Sequence, residues 1–340
     1  MSKLEKRKLG RTDAYVTRIG LGCAPLGDLF VPLSEEQAQQ TLQAAWDGGV
    51  RYFDTAPFYG YGKSEHRVGT FLRQQPRDEF VVSTKIGRVM RRPHNLTTFD
   101  KGMWAGGLSF EFDYDYSYDG IMRSYEDSLQ RLSIPSIDIL LVHDLDIYFH
   151  KSEAKFNAYL YQLVNSGWRA LDELRSSGEV KAVGAGINTL DTIPRFLDVL
   201  DMDTFIVAGA YNLLDQSMLD SELPLCAERG IEVIIGAVFA SGILATGAVE
   251  GATFQYEPAS EEILQRTRQI EAVCQRHQIP LPAVSLQFLL AHPTIATLIP
   301  GALEPHHISS NIHAAEQSIP AVLWAELKDE GLLRHDAPTP

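Results

Sequence analysis

The stretch RYFDTAPFYGYGKSE, residues 51–65, decides between two folds for this chain. It places Tyr59 four residues before Lys63, a spacing that puts two side chains on the same face of a helix. It also places Asp54 five residues before Tyr59, and another lysine, Lys85, ends the next apolar run. If Lys85 is the partner of the tyrosine, the fold must bring separate strands together.

A helical tyrosine–lysine pair is the less favourable interpretation. Pro57 precedes the tyrosine, and Gly60 and Gly62 follow it, so the segment is predicted to form a loop. Short-chain dehydrogenases, which use such a helical pair, also need a Gly-x-Gly-x-x-Gly turn near the amino terminus, and GLGCAPLG (20–27) lacks that order. Lys63 is therefore expected to be a surface or loop residue whose replacement by alanine is nearly silent.

Short apolar runs alternate with segments of helical period along the rest of the chain. The predicted strands are TRIGLG (17–22), RYFDTA (51–56), EFVVSTK (79–85), DILLVH (138–143), VKAVGAG (180–186), TFIVAGA (204–210), IEVIIGAV (231–238) and IATLIP (295–300). Most are continuously apolar, as strands buried on both faces are. The predicted helices between them include 34–49, 118–132, 159–178 and 261–277.

Repeated strand–helix units with short connections favour an α/β fold, a (β/α)8 TIM barrel formed by residues 1–340 as one domain. An open doubly wound sheet is the alternative. KRKLGRTDAYVTRIG (6–20) is predicted to form an N-terminal β-hairpin that covers the bottom of the barrel. The surplus over the roughly 250 residues of such a barrel is expected in long loops on the catalytic face, at 88–117, 144–158 and 242–260.

Polar residues follow the ends of the predicted strands, where a parallel barrel brings side chains to one mouth. Asp54 ends the second strand and Tyr59 lies in its loop, while Lys85 and His143 end the third and fourth strands. A lysine on an apolar strand needs a compensating carboxylate, which Asp54 is placed to supply. A phenol ordinarily titrates near pKa ~10, so Lys85 would favour the phenolate form of Tyr59 for proton exchange with an alcohol or carbonyl. His143 could orient the same substrate oxygen.

Composition narrows the classes of partner. The formal net charge of -14 argues against nucleic acid or an anionic membrane, since both select basic patches. No run reaches the roughly 18 apolar residues of a membrane span. Three scattered cysteines suit a reducing compartment, so the cytoplasm is expected. No metal site is expected, because the first strand carries no His-x-His pair and the histidines do not gather at strand ends.

The sequence resembles the aldo-keto reductases over nearly its whole length. The stretches that carry the resemblance are GRTDAYVTRIGLG, GVRYFDTAPFYGYGKSE, FVVSTKIGR, DSLQRLSIPSIDILLVHD, VKAVGAGIN, SGILATG and IPGALEPHHISSNI. The resemblance implies a catalytic tetrad of Asp54, Tyr59, Lys85 and His143. APLGDLF, DYSYDGIMRS and SGILATG resemble the bacterial branch of D-threo-aldose 1-dehydrogenases, L-fucose dehydrogenases and pyridoxal dehydrogenases. That branch implies oxidation of an aldose of the L-fucose, D-arabinose or L-galactose type to a lactone.

The resemblance also implies contacts with a nicotinamide cofactor. The amide that contacts the nicotinamide is expected at Asn188, and Phe239 or Tyr211 would supply an aromatic surface because the usual aromatic position holds Gly236. The loop over the pyrophosphate is expected to include Ser241, Gly242 and Leu244, with backbone N–H groups facing the anion.

At the adenosine end, the Lys-Ser pair and the later Arg typical of NADP-preferring relatives are replaced. Gly301 and Ala302 hold the first two positions, His307 holds the third, and Asn311 matches the Asn expected near the adenine. Because a 2'-phosphate needs cationic partners and Glu304 adds a negative charge, NAD is predicted to be preferred over NADP.

The substrate is expected to be a small molecule that contacts Trp104, in an aromatic lid over the mouth, and Tyr148. Three alternatives remain open: a pyridoxal 4-dehydrogenase, a general aldehyde or ketone reductase, and a non-catalytic regulatory subunit that senses the cofactor. A monomer or homodimer is expected.

Overall fold

The computed structural model describes residues 4–255 and 257–340. Eight parallel strands, labelled β1 to β8, form its central sheet. They are β1 Leu21–Gly22, β2 Tyr52–Asp54, β3 Val81–Ile86, β4 Ile139–His143, β5 Ala182–Ile187, β6 Thr204–Ala208, β7 Glu232–Gly236 and β8 Ile295–Leu298. Each strand pairs with the next in chain order.

The sheet closes on itself between β8 and β1. Parallel bridges join Ile19 to Leu298 and Gly22 to Gly301, and the Gly20 N–H donates to the carbonyl oxygen of Leu298 at 2.8 Å. The predicted TIM barrel is therefore confirmed, and the open doubly wound sheet is wrong. We propose that residues 1–340 form one domain around this barrel.

An N-terminal hairpin covers the bottom of the barrel, as predicted. Lys6–Lys8 pairs antiparallel with Tyr15–Thr17. Leu9, Ala14 and Val16 are fully buried and belong to the same apolar cluster as residues from the barrel interior. The hairpin thus removes from water the apolar opening that the strands leave at this end.

Helices surround the barrel, and a larger apolar cluster packs between them and the strands. The helices are Glu35–Asp47, Lys63–Leu72, Tyr118–Leu132, Ile147–His150, Glu153–Gln162, Trp168–Ser176, Thr192–Leu197, Glu222–Glu228, Ile243–Thr246, Glu261–Arg276, Leu281–Ala291, Pro305–Glu316 and Ala321–Asp329. Within the described ranges, none combines the length and apolar character needed to span a membrane.

The helix predicted at 159–178 starts earlier and is interrupted. Glu153–Gln162 continues through a π turn, Leu163–Gly167, into Trp168–Ser176. Gly167 lies so close to the end of loop 88–117 that a Cβ would stand 2.1 Å from the carbonyl oxygen of Tyr116. The glycine lets the helix approach this loop closely.

The three long loops carry their own structure. Loop 88–117 contains the antiparallel strands Arg88–Arg91 and Glu111–Tyr114. Loop 144–158 contains a short helix and the start of the next one, and 242–260 includes the strand pair Thr253–Phe254 and Glu257–Pro258. All three follow the carboxyl ends of barrel strands, so they build the mouth.

Candidate active site

The predicted ion pair lies between β2 and β3. Lys85 Nζ donates to Asp54 Oδ1 and Oδ2 at 2.7 and 2.9 Å, and to the carbonyl oxygen of Thr55 at 2.8 Å. Ser83 Oγ donates to Asp54 Oδ1 at 2.6 Å. Both charged side chains are only 2% exposed. Each charge is therefore tolerated because the other compensates it.

Tyr59 projects from the loop after β2 towards this pair. Lys85 Nζ lies 5.1 Å from the centroid of the Tyr59 ring, and the ring centroid of His143 lies 5.7 Å from it. Gly60 has a φ of +66°, and a Cβ there would stand 2.3 Å from the carbonyl oxygen of Gly27. Only glycine permits this approach of two backbones, which positions the tyrosine.

His143 ends β4 and completes the tetrad. Burial lowers the pKa of its imidazole well below the usual value, and the nearby Arg88 and Lys85 charges act in the same direction. Its Nδ1 is buried and has no hydrogen-bond partner in the described residues, while Nε2 lies 3.3 Å from Asp144 Oδ2. We infer a neutral imidazole with its proton on Nε2, the form that can donate to a substrate oxygen.

A cavity of about 340 Å³ lies above these groups, and Tyr59, Lys85 and His143 line it. Its walls are mostly apolar. They include Leu29, Phe58, Met103, Trp104, Phe149 and Ile206. This volume suits a small organic molecule, and the few polar groups converge where chemistry is expected.

Similarity to known proteins identifies the family of this chain. The model described as "Aldo/keto reductase family" matches residues 18–330. The chain belongs to the aldo-keto reductase family. It is 42% identical over 338 residues to a pyridoxal 4-dehydrogenase of Microbacterium luteolum, covering 97% of this chain and 98% of that protein. It is 38% identical over 331 residues to a D-threo-aldose 1-dehydrogenase of a Pseudomonas species, covering 96% of each.

The fold has solved counterparts. The holo form of the aldo-keto reductase AKR11C1 from Bacillus halodurans matches with a TM-score of 0.75 and covers 97% of each chain at 23% identity. At this identity the match supports the barrel architecture alone. The family match and the two dehydrogenase relatives identify this aldo-keto reductase as an NAD(P)-dependent oxidoreductase.

A second cavity of about 240 Å³ lies beside the first. Both cavities are lined by Tyr148, Asn188 and Ala208. Ala237 and Ser241 also line the second cavity. Small residues at the ends of β6 and β7 leave room here for a flat ring and an extended ligand. The residues of this aldo-keto reductase therefore fit a nicotinamide cofactor. Asn188 and Ser241 both line this cavity, and their contacts with the cofactor stay a prediction.

The turn after β7 differs in detail from the expectation. Ser241 and Gly242 have φ values of +62° and +106°. The N–H groups of Gly242 and Leu244 both donate to the carbonyl oxygen of Phe239, at 2.9 and 3.1 Å. These two N–H groups are thus engaged within the turn, and the Leu244 side chain is fully buried. The predicted contact of these N–H groups with a pyrophosphate requires the turn to open.

The predicted aromatic surface is not at the cavities. Tyr211 is fully buried, and its ring stacks on Phe288 at 5.1 Å and contacts His292 edge-on. Tyr211 therefore packs against helix Leu281–Ala291 instead of lining either cavity, so the structure gives its predicted cofactor contact no support. Phe239 is half-buried against the core, and its side chain is absent from the described lining of both cavities.

The segment predicted to hold the adenosine lies at the start of helix Pro305–Glu316. Gly301 is exposed beside β1, His307 is half-buried and its Nδ1 accepts from the Leu303 N–H at 3.3 Å, and Asn311 is 9% exposed. Glu304 Oε2 lies 3.1 Å from His306 Nδ1. Lysine and arginine are absent from residues 299–311.

The predicted substrate residues both line the first cavity. Trp104 is 2% exposed, and its ring lies 5.6 Å from that of Tyr59. Tyr148 is 40% exposed at the rim. Groups of three or more His, Cys, Asp or Glu side chains able to hold a metal do not occur in the described part of the chain.

Two buried charged residues at this site were missed. Arg88 Nη2 donates to Asp144 Oδ2 at 2.8 Å, and the guanidinium carbon lies 4.4 Å from the ring centroid of Phe58. Burial raises the pKa of the Asp144 carboxyl, and Arg88 opposes that rise. Asp144 immediately follows His143, so its position at a strand end was the signal that could have identified it. A charged residue beside a predicted site residue is ordinarily expected to be exposed to solvent, so the sequence did not single it out.

Lys63 is not the isolated surface residue that we expected. It begins helix Lys63–Leu72, and its Nζ donates to Asp28 Oδ2 at 2.6 Å and to the carbonyl oxygen of Gly106 at 2.9 Å. Asp28 is fully buried and also accepts from Arg67 Nη1 at 2.6 Å. The lysine thus joins the loop after β1 to the lid segment that carries Trp104. These contacts replace the expectation that Lys63→Ala is silent with an expected loss of stability.

We expect Lys63→Ala to lower the free energy of unfolding by about 1–3 kcal/mol, as for loss of a hydrogen bond to a charged group. Urea denaturation measures this change. Arg67 still compensates Asp28, so the fold should survive and kcat should stay within a few-fold of wild type. Unchanged stability would show that the contact to Asp28 contributes nothing.

Proposed function

We propose that this chain is an NAD(P)-dependent dehydrogenase that oxidises the hydroxyl of a cyclic hemiacetal to a lactone, with the anomeric hydroxyl of an L-fucose, D-arabinose or L-galactose type aldose as the substrate. The observation that carries the proposal is the convergence of Tyr59, Lys85 and His143 on one small-molecule cavity, with Asp54 compensating the lysine. This set supports proton transfer at a carbon–oxygen bond.

In the proposed reaction Tyr59 accepts the proton of the hydroxyl as the carbonyl forms. Lys85, held by Asp54, provides a positive charge that favours the phenolate, and His143 Nε2 donates to the substrate oxygen. Asn188 and Ser241 would hold the cofactor, whose nicotinamide ring, when bound, takes up a hydride from the carbon. In the direction of carbonyl reduction, Tyr59 donates the proton.

The names of the two relatives support hemiacetal chemistry in particular. Aldoses and pyridoxal are both hydroxyaldehydes that close to cyclic hemiacetals, and oxidation of either hemiacetal yields a lactone. The aromatic walls at Phe58, Trp104 and Phe149 can stack on the apolar face of a sugar. They favour a flat heteroaromatic ring equally, so pyridoxal is the second candidate substrate.

A panel assay tests the proposal. Purified protein is incubated with NAD and, separately, L-fucose, D-arabinose, L-galactose, D-glucose or pyridoxal, and NADH formation and lactone are measured. We expect turnover of at least one of the first three sugars, with D-glucose poorer. Turnover of pyridoxal alone would select the second candidate. Binding of NAD without turnover of any of these substrates would indicate the regulatory alternative instead.

We further propose that NAD is preferred over NADP. The absence of lysine and arginine at 299–311 and the carboxylate of Glu304 support this preference, because a 2'-phosphate needs cationic partners. Glu304 is half-exposed at 52%, so it can face a cofactor phosphate. We also propose that the enzyme is a cytoplasmic monomer or homodimer.

Cofactor preference is measured as the ratio of kcat/KM with NAD to that with NADP. We expect wild type to favour NAD, and Glu304→Lys with His307→Arg to shift the ratio towards NADP about tenfold or more, as charge-assisted contacts form. Glu316→Lys, at the far end of the same helix, is the control for charge alone. An equal shift in the control would mean that Glu304 and His307 do not face the phosphate.

A further inference from the structure

Asp144 stands out among the carboxylates of the mouth because it lines the substrate cavity while remaining almost fully buried. Its backbone φ is +50°, an uncommon conformation for a residue other than glycine, and its N–H donates to the carbonyl oxygen of Gly186 on β5 at 2.8 Å. Strained conformations of this kind persist where the surrounding structure holds them, often at functional sites. The backbone conformation at Asp144 therefore fixes the position of this carboxylate.

The carboxylate is held from two sides. Arg88 Nη2 donates to Oδ2 at 2.8 Å, and Asn188 Nδ2 donates to Oδ1 at 2.9 Å. Arg88 is itself 2% exposed. Its guanidinium lies among aromatic rings at centroid distances of 4.4–5.3 Å, namely Phe58, Phe112, Tyr114 and Phe149. Arg88 therefore cannot leave Asp144 for solvent, and the orientation of the carboxylate is fixed before a substrate arrives.

We propose that Asp144 is a specificity-determining residue that accepts a hydrogen bond from a hydroxyl on the carbon next to the reacting carbon. Its Oδ2 lies 3.3 Å from His143 Nε2, the nitrogen that we assign to the reacting oxygen. Vicinal oxygens of a hydroxyaldehyde lie about a hydrogen-bond length apart when gauche, so one oxygen can meet His143 while the next meets Asp144.

An ionised carboxylate accepts hydrogen bonds at about four lone-pair positions and donates none. Arg88 and Asn188 occupy two of them, and the Nε2–H of His143 lies near a third, at 3.3 Å from Oδ2. At least one position is left for a ligand in the cavity that Asp144 lines. In a largely apolar pocket, a substrate without the hydroxyl displaces water from this carboxylate but provides no hydrogen-bond donor to replace the water. Sites built in this way discriminate strongly against the analogue that lacks the polar group.

The inference rests on the proposed function, but a pair of simple aldehydes tests it separately. Lactaldehyde and propanal differ by one hydroxyl at the carbon next to the carbonyl, and their reduction by NADH is followed at steady state. We expect wild type to favour lactaldehyde in kcat/KM, and Asp144→Asn to reduce that preference about 10- to 100-fold. The proposed function fails instead if no aldose or pyridoxal yields a lactone, whatever the aldehyde ratio.

Asp144→Asn leaves the buried Arg88 without a negatively charged partner, so a second variant separates recognition from stability. In Arg88→Met with Asp144→Asn both charges are removed, and methionine can fill the aromatic surroundings. We expect the double variant to regain thermal stability while the preference for lactaldehyde stays low. A preference that returns with stability would overturn the inference and assign Asp144 a purely structural role.

Asp146 is the matched control. It also accepts from Asn188 Nδ2, at 3.0 Å, and it is fully buried, but it does not line the first cavity. Asp146→Asn should lower Tm and leave the ratio of the two aldehydes within about threefold of wild type. The inference is also overturned if wild type reduces neither aldehyde or both equally well, or if Asp144→Asn retains the wild-type ratio.

Discussion

Tyr59→Phe is expected to lower kcat about 10²- to 10⁴-fold, the usual contribution of a positioned acid or base. The substitution removes only the phenolic oxygen. The ring can still contact Trp104 and His143, which lie 5.6 and 5.7 Å from it between centroids. The cavity should therefore keep its shape while proton transfer is lost. Turnover is measured in the oxidative direction with the best substrate of the panel and in the reductive direction with lactaldehyde.

Binding of NAD serves as the control for Tyr59→Phe. Calorimetric titration should give a dissociation constant within a few-fold of wild type, since the predicted cofactor contacts at Asn188 and Ser241 are unchanged. Retained activity in a correctly folded variant would remove Tyr59 from the mechanism. If the variant loses both its activity and its ability to bind NAD, the substitution disturbs the site as a whole.

Lys85→Ala is expected to have the second large effect, because it should lower both the stability of the protein and kcat. Removing the ammonium leaves Asp54 buried without its partner, which costs about 3–5 kcal/mol of unfolding free energy. It also removes the positive charge beside the Tyr59 ring, so kcat should fall at least about 10²-fold. Chemical denaturation and steady-state kinetics measure the two effects.

Two comparison variants make the Lys85 result decisive. Lys63→Ala also removes a lysine ammonium group, in this case from the residue four positions after Tyr59. This variant should be less stable than wild type, with little change in kcat. Asp54→Asn combined with Lys85→Met removes both charges of the pair, so it should recover much of the stability without recovering activity. An active double variant would mean that the ion pair only holds the loops.

The barrel was predictable because its signals are local and repeated. Continuously apolar runs such as EFVVSTK mark strands buried on both faces, and each is followed by a helical segment. Closure then follows from the number of strand–helix units. The tetrad was predictable for a related reason, since adjacent parallel strands bring Asp54 and Lys85 to the same edge. The observed contacts at 2.7 and 2.9 Å agree.

The departures from expectation have a common physical cause. The expectation for Lys63 was based on its neighbours in sequence and that for Tyr211 on the family resemblance, but the contacts of both residues lie far away in the chain. Lys63 meets the carbonyl oxygen of Gly106, 43 residues on, and Tyr211 stacks on Phe288. Arg88 and Asp144 were missed because the aromatic residues that enclose the guanidinium come from three separate loops.

By itself, the sequence predicted the barrel, the order of its strands and the placement of Asp54, Tyr59, Lys85 and His143 at its mouth, because hydrophobic period and strand-end position are properties of short segments. Within RYFDTAPFYGYGKSE, the sequence also determined that Tyr59 lies on a loop, because the glycine at position 60 disfavours a helix there. Only the tertiary structure decided the roles of the charges in and beside that stretch. Burial and the distance to a partner determine whether a charge is catalytic, structural or exposed. Lys85 meets Asp54 at the cavity, whereas Lys63 meets Asp28 beneath the lid.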